Sequence, residues 1–249
     1  VSMAATTSLE DVAAAAPGAP RWAQMYMLRD RGRTKALAER ARDAGYSAIV
    51  ASVDGAAVPR RSRLKGGALV PPDWFRFPNL ADPRDAESSD LMAMVSDFDP
   101  ATTFEDLARF AEWSGLPVVV KGVMRGDDAV RCLAAGAAAI AISNHGGRTL
   151  DGVAATAEVL PDVVEAVAGR AEVYVDGGIR SGVDVLRALC LGARAVMIGR
   201  PVLWGLAVGG EAGAAEVVTH LADELLRAMA LCGRDRVERV GADLLLAAP

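Results

Sequence analysis

The chain has 249 residues, of which 52% are hydrophobic and 24% charged, and its formal net charge is −5. That apolar share excludes a disordered chain, and an acidic balance argues against a general nucleic-acid binder, which shows a basic stripe. The length admits one large domain or two small ones, and with aromatics at 5% the core must be built from Ala, Val, Leu and Ile.

Val1-Ser2 reads as the end of a preceding strand, and SLEDVAAAA (8–16) as a helix. Short apolar runs follow at 22–27 (WAQMYM), 47–53 (SAIVASV), 117–122 (PVVVKG), 138–143 (AAIAIS), 172–177 (EVYVDG) and 195–200 (AVMIGR). Between most of them lies an amphipathic helical pattern closed by glycine, such as TKALAERARDAG, DDAVRCLAAG and GVDVLRALCLG. Strands alternating with helices make βαβ units and a parallel sheet. The one long interruption, 55–101, is rich in Pro, Arg and Asp and carries Trp74 and Phe75. A connection of that length is expected to be a lid loop. No apolar run reaches the ~18 residues of a membrane span, and no signal-peptide pattern is present. Cys132, Cys190 and Cys232 each fall in an apolar helical stretch and form no CxxC pair. They are expected to be buried, reduced thiols of a cytoplasmic protein.

Residues 126–142 and 182–198 repeat one another: Gly126, Asp128, Arg131, Leu133, Gly136, Ala137, Ala139 and Ile142 match Gly182, Asp184, Arg187, Leu189, Gly192, Ala193, Ala195 and Ile198. The offset is about two βα units. Recurrence two units apart fits a (βα)8 TIM barrel, in which alternate strands fill the same interior layers; an open doubly wound sheet remains the alternative. Six strands are recognisable where the barrel has eight, and the chain begins with Val rather than Met. The expectation is one domain over 1–249, an incomplete barrel short of its opening strands. Such a chain alone is expected to hold little cofactor and to be poorly soluble.

In these barrels ligands sit at the carboxyl ends of the strands. The residues there are polar: Gln24 and Tyr26, Ser52 and Asp54, Lys121, Ser143-Asn144-His145, Asp176-Gly177-Gly178, and Gly199-Arg200. DGGIRSG (176–182) followed by IGR (198–200) looks like a phosphate site, with glycines opening backbone N–H groups to an anion and a helix start adding positive potential. Arg180 and Arg200 would add charge-assisted bonds. Of the two histidines, His220 lies in a helical pattern and reads as structural or surface. His145 directly follows a strand and precedes two glycines, which leaves backbone space for a ligand. Asp54 reads either as functional or as a turn residue before Gly55, and Arg61 either as a ligand or as part of a solvated run, with Arg60 beside it. Lys121 closes a run of three valines and so needs a partner.

SNHGGRTLD (143–151) resembles the signature of the flavin-dependent 2-hydroxy-acid oxidases and dehydrogenases, which act on glycolate, lactate and mandelate. The resemblance extends to QMYMLRD, SVDGAAVPRR, VVVKGV, VDGGIRSG and IGRPVLWGL, and runs from Ser2 to about Leu245. It implies FMN as cofactor, oxidation of L-2-hydroxy acids to 2-oxo acids, and a homo-oligomer at full length. It also implies roles. His145 would be the base and Asp54 would orient its imidazole. Arg148 and Arg61 would clamp the substrate carboxylate and Tyr26 would hydrogen-bond the substrate. Lys121 would lie beside the flavin pyrimidine edge. Ser2, Gln24 and Ser52 would hold the flavin ring, and Asp176, Gly178, Arg180, Gly199 and Arg200 its ribityl-phosphate tail.

This sequence departs from the family pattern at Thr149, where glutamine is usual, at Gly55-Ala56, where Thr-Pro is common, and at Ala4, where some members carry a bulky aromatic. Two other readings compete. A barrel like inosine-monophosphate dehydrogenase shares the phosphate elements, but wants a cysteine on a loop after a strand. An inactive truncated barrel would be expected to have lost His145, Lys121 or Arg148.

Overall fold

Parallel pairing organises both halves of the chain. The computed structural model describes residues 1–55, 57, 72, 75–80 and 96–246. They form two compact units, Val1–Lys121 with Arg131–Ala138, and Gly122–Val130 with Ala139–Pro249.

The first unit opens with α1 (Leu9–Ala15), started by Ser8, whose hydroxyl accepts the N–H of Asp11. Strand β1 (Trp22–Met25) follows, then α2 (Arg31–Asp43), capped by Asp30 through the N–H groups of Gly32 and Arg33. Strand β2 (Ala48–Ser52) is buried at every position, as expected of a strand covered on both faces. Helix α3 (Phe104–Ser114) begins at Thr103, whose N–H donates to the Asp106 carboxylate, and strand β3 (Val118–Val123) follows. β1 pairs parallel with β2, placing Gln24 beside Val50, and β2 pairs parallel with β3, placing Ser52 beside Lys121. Val1-Ser2 does pair like the end of a strand: Ser2 makes a parallel bridge with Gln24, and the Gln24 N–H donates to the Val1 carbonyl at 2.7 Å.

Most of the 55–101 interruption lies outside the described residues. Of the part that is described, Phe77, Asn79 and Leu80 are buried. The Asn79 amide oxygen accepts the Leu9 N–H at 2.9 Å, and its amide nitrogen donates to the Thr7 carbonyl at 3.1 Å. This short stretch therefore finishes the packing around α1.

The second unit contains β4 (Ala139–Ile142), α5 (Thr156–Val167), β5 (Glu172–Val175), α6 (Gly182–Cys190), β6 (Ala195–Val196) and α7 (Arg200–Leu231). Helix α4 (Gly126–Ala134) straddles the division. β4 pairs parallel with β5, and β5 with β6. The internal repeat is structural: α4 and α6 both span nine residues, and the glycines that close them, Gly136 and Gly192, share a left-handed φ of 92° and 98°.

Two expectations need correction. The last strand is only two residues long rather than reaching Arg200, because Pro201 in the first turn of α7 has a φ already suited to a helix start. Cys132 and Cys190 are buried, but Cys232 is exposed, since it sits at the C-terminal cap of α7 rather than inside its packed face. α7 itself breaks at Gly209 and Gly210, whose backbones leave the helical region. Its two limbs meet at Gly205 and Gly213, where a Cβ on Gly205 would lie 2.4 Å from the Gly213 carbonyl oxygen. His220 lies on the exposed side of the second limb, 3.3 Å from Glu224. No helix among the described residues is long and apolar enough to cross a membrane.

Gly182 begins α6 against the second limb of α7, and a Cβ there would stand 2.1 Å from the Leu225 backbone nitrogen. Gly182→Ala is expected to cost about 1–3 kcal/mol by overpacking, despite alanine's better helix propensity. A urea titration should show a lower midpoint with an unchanged slope.

Candidate active site

In the first unit the strand-end residues form a hydrogen-bonded chain. Ser2 Oγ donates to Gln24 Oε1 at 2.8 Å, and Gln24 Nε2 donates to Ser52 Oγ at 3.0 Å. The parallel registers make this contact, since they bring the same ends of Val1–Met3, β1 and β2 side by side. The three residues assigned from sequence to the flavin ring are thus brought together.

Lys121 has the partner its position required. Its Nζ lies 3.7 Å from Asp54 Oδ2, with the side chains 18% and 7% exposed. Two opposite charges this poorly solvated stabilise one another where either alone would be costly. Tyr26, just past Gln24, stacks on Phe98, with ring centroids 4.4 Å apart. A Cβ on Gly55 would stand 2.4 Å from Tyr26 Cε1, so the glycine that departs from the family pattern makes room for this ring. Phe98 was not singled out from sequence, because it belongs to the long interruption. Arg61 and Arg60 lie outside the described residues.

In the second unit the chemistry gathers where β4 ends. Ser143 is fully buried; its Oγ donates to Asp176 Oδ2 at 2.9 Å and accepts the His145 N–H at 3.1 Å. His145 has a φ of 56°, in the left-handed region that non-glycine residues seldom occupy. Such a conformation costs on the order of 1–3 kcal/mol and persists only where surrounding bonds determine it. Here they do. The Gly147 N–H donates to both the carbonyl and the side-chain oxygen of Asn144, at 3.0 and 3.1 Å. Arg200 Nη2 donates to the Gly146 carbonyl at 3.3 Å. Arg148 follows this turn and is exposed.

Asp176 directly follows β5, and Thr156 Oγ1 donates to its carbonyl at 2.5 Å. Its carboxylate, expected at the ribityl tail, also accepts the Ser143 hydroxyl and so ties two strand ends together. Gly177 and Gly178 follow with φ of 92° and 75°. The Asp184 carboxylate accepts the N–H groups of Arg180 and Ser181, both at 3.0 Å, and Ser181 Oγ accepts the Asp184 N–H in return. This reciprocal box fixes the loop at the start of α6. The Arg180 guanidinium lies 5.0 Å from the ring centre of Trp204, a platform that sequence reading missed. Gly178, Arg180, Gly199 and Arg200 are all exposed.

The model of a family described as FMN-dependent dehydrogenase matches residues 1–247. The chain belongs to that family. It is 44% identical to an L-lactate oxidase of Nostoc sp. over 98% of this chain and 70% of that protein. It is 42% identical to 2-hydroxyacid oxidase 1 of Homo sapiens, over 97% of this chain and 68% of that protein. A solved structure of a mandelate oxidase variant with a C4a-OH-FMN adduct matches with a TM-score of 0.83 and 42% identity, covering 96% of this chain and 67% of that one. The chain thus spans about two thirds of its relatives' length. Its fold is the family's (βα)8 TIM barrel, incomplete, with six strands among the described residues. As a member of the FMN-dependent dehydrogenases it is a flavin-dependent oxidoreductase with FMN as cofactor.

The residues present suit that group. A chain of hydroxyl and amide groups matches the needs of a heteroaromatic ring, and a half-buried cation offsets negative charge. A glycine loop at a helix start, with an arginine beside it, suits a phosphate.

Asp184→Ala removes the acceptor for two backbone N–H groups and one hydroxyl at that loop. It should lower stability by about 1–2 kcal/mol, as for a lost helix cap, read as a fall in denaturation midpoint. Ser181→Ala should cost a similar amount, and the double variant less than the sum.

Proposed function

We propose that this chain's residues catalyse the FMN-dependent oxidation of L-2-hydroxy acids to 2-oxo acids, with His145 as the base and Arg148 as the carboxylate clamp. The observation that carries the reading is the left-handed backbone of His145, held at a strand end between Asn144 and two glycines. Strained conformations of this kind are kept where a side chain must be aimed.

Converting C–OH to C=O removes two electrons and two protons. FMN supplies the electron acceptor. His145 accepts a proton from the substrate, work suited to an imidazole, whose ordinary pKa lies near neutrality. Arg148 is exposed and pairs with the incoming carboxylate, a planar anion matched by the guanidinium fork. Arg61 is assigned to the same anion by the resemblance alone. Tyr26, its ring held by Phe98, presents a phenol to the substrate. Lys121 supplies positive charge where the cofactor becomes more negative, and Asp54 keeps that ammonium compensated. The orienting role that the resemblance gives Asp54 toward the imidazole is proposed on the same footing. Ser2, Gln24 and Ser52 hold the ring. Asp176, Gly178, Arg180, Gly199 and Arg200 serve the ribityl-phosphate tail. The substrate class includes lactate, named in the L-lactate oxidase of Nostoc sp., and glycolate, which the resemblance implies, and the setting is cytoplasmic.

His145→Gln should leave FMN content unchanged and slow anaerobic loss of flavin absorbance with L-lactate at least ~100-fold, the low end for removing a general base. A variant that reacts at the parent rate would remove His145 from the mechanism.

Arg148→Met should raise KM for 2-hydroxy acids and the Kd of carboxylate inhibitors by about tenfold or more, equivalent to roughly 1.4 kcal/mol. Arg148→Lys should recover part of this, because an ammonium carries the charge without the bidentate fork. Parent-like inhibitor affinity in the lysine variant would show that the fork is not used.

A further inference from the structure

Two thiols stand where α6 and α7 end, and the proposed chemistry uses neither. At the start of α6 the Gly182 N–H donates to Glu224 Oε2 at 2.8 Å, across 42 residues of chain. Further along, Leu186 and Cys190 share one buried cluster with Ala228 and Met229. Contacts therefore advance in the same direction along both helices. Gly182, Leu186 and Cys190 follow one another at four-residue steps, which is a single ridge of a helix, and so do Glu224, Ala228 and Cys232. The separation of 42 residues that joins Gly182 to Glu224 also joins Cys190 to Cys232. Both helices rise by about 1.5 Å per residue, so equal numbers of steps along the two ridges advance by equal lengths. Electrostatics agrees with the placement: burial first, and then the neighbouring Cys232, hold the Cys190 thiol above its ordinary range.

The two thiols differ in access. Cys190 is 4% exposed, whereas Cys232 caps α7 in the open. An oxidant in solution therefore meets Cys232 first.

We propose that Cys190 and Cys232 form a dithiol that hydroperoxides convert to an intramolecular disulfide. The Cys232 thiolate attacks one peroxide oxygen and the O–O bond breaks, giving a sulfenic acid and, from hydrogen peroxide, water. The Cys190 sulfur then attacks the Cys232 sulfur; the S–O bond breaks, water leaves, and Cys190 gives up its proton. Two thiols are oxidised and one peroxide is reduced. The bridge closes a loop containing β6 and all of α7, and so joins the two helices that follow the glycine loop and Gly199-Arg200.

The test treats the FMN-loaded protein with hydrogen peroxide, blocks remaining thiols with N-ethylmaleimide under denaturing conditions, and maps peptides by mass. The expected product is a Cys190–Cys232 cross-linked peptide, reversible by dithiothreitol, with buried Cys132 still alkylated as an internal control. Cys232→Ser should abolish the cross-link and leave Cys190 reduced. Cys190→Ala should leave Cys232 oxidised without an intrachain bridge; should that core variant fail to fold, the parent and Cys232→Ser decide the matter. The proposal is overturned if both thiols of the parent remain alkylatable. It is equally overturned if Cys232 stops at the sulfinic acid with Cys190 reduced, or if Cys232 instead links two chains.

Discussion

The Ser143 hydroxyl is the contact on which the second unit's chemistry depends. It is fully buried, it donates to the Asp176 carboxylate at the end of the neighbouring strand, and it accepts the backbone N–H of His145. A buried hydroxyl that both donates and accepts links two segments at once and leaves its neighbours little freedom. The histidine backbone is thereby held in a conformation it would not choose, and the glycines after it turn the chain away so that Arg148 emerges at the surface. Asp176, in serving this hydroxyl, starts the loop that the Asp184 carboxylate closes.

The first unit solves a different problem, how to keep charge and polarity at the ends of strands that are otherwise apolar throughout. Register does most of it. Parallel pairing sets Ser2 beside Gln24 and Ser52 beside Lys121, so groups far apart in sequence meet without any loop having to fold onto them. The Lys121–Asp54 pair then allows an ammonium to remain where solvent is scarce.

Much of this was legible in the residues. Period and punctuation marked the strands, because most of the apolar runs are separated by glycine-closed helical patterns. The strand-end rule alone picks out Gln24, Ser52, Lys121, His145 and Asp176. The valine run before Lys121 demanded a counter-charge, although nothing in the spacing named Asp54. What escaped were contacts between distant segments: Phe98 under Tyr26, Trp204 under Arg180, and Thr156 on the Asp176 carbonyl. Aromatic platforms leave no periodic trace, since they depend on where a loop or a second helix passes. The last strand was read too long because AVMIGR is apolar nearly throughout, and hydrophobicity alone does not show where Pro201 starts the helix. Cys232 was read as buried for a similar reason: its helix is apolar to the end, yet in the last turn only Ala228 and Met229 are buried.

The hairpin inside α7 carries a further consequence. Gly205 and Gly213 approach so closely that neither could gain a methyl group without moving the other limb. Trp204 immediately precedes Gly205, so the spin of the first limb about its own axis, and with it the tilt of the indole plane, is inherited from a junction of two hydrogens. The surface on which the Arg180 guanidinium rests is therefore calibrated at a distance, by residues that carry no charge, touch no ligand and would look interchangeable with alanine in any chemical inventory of the site.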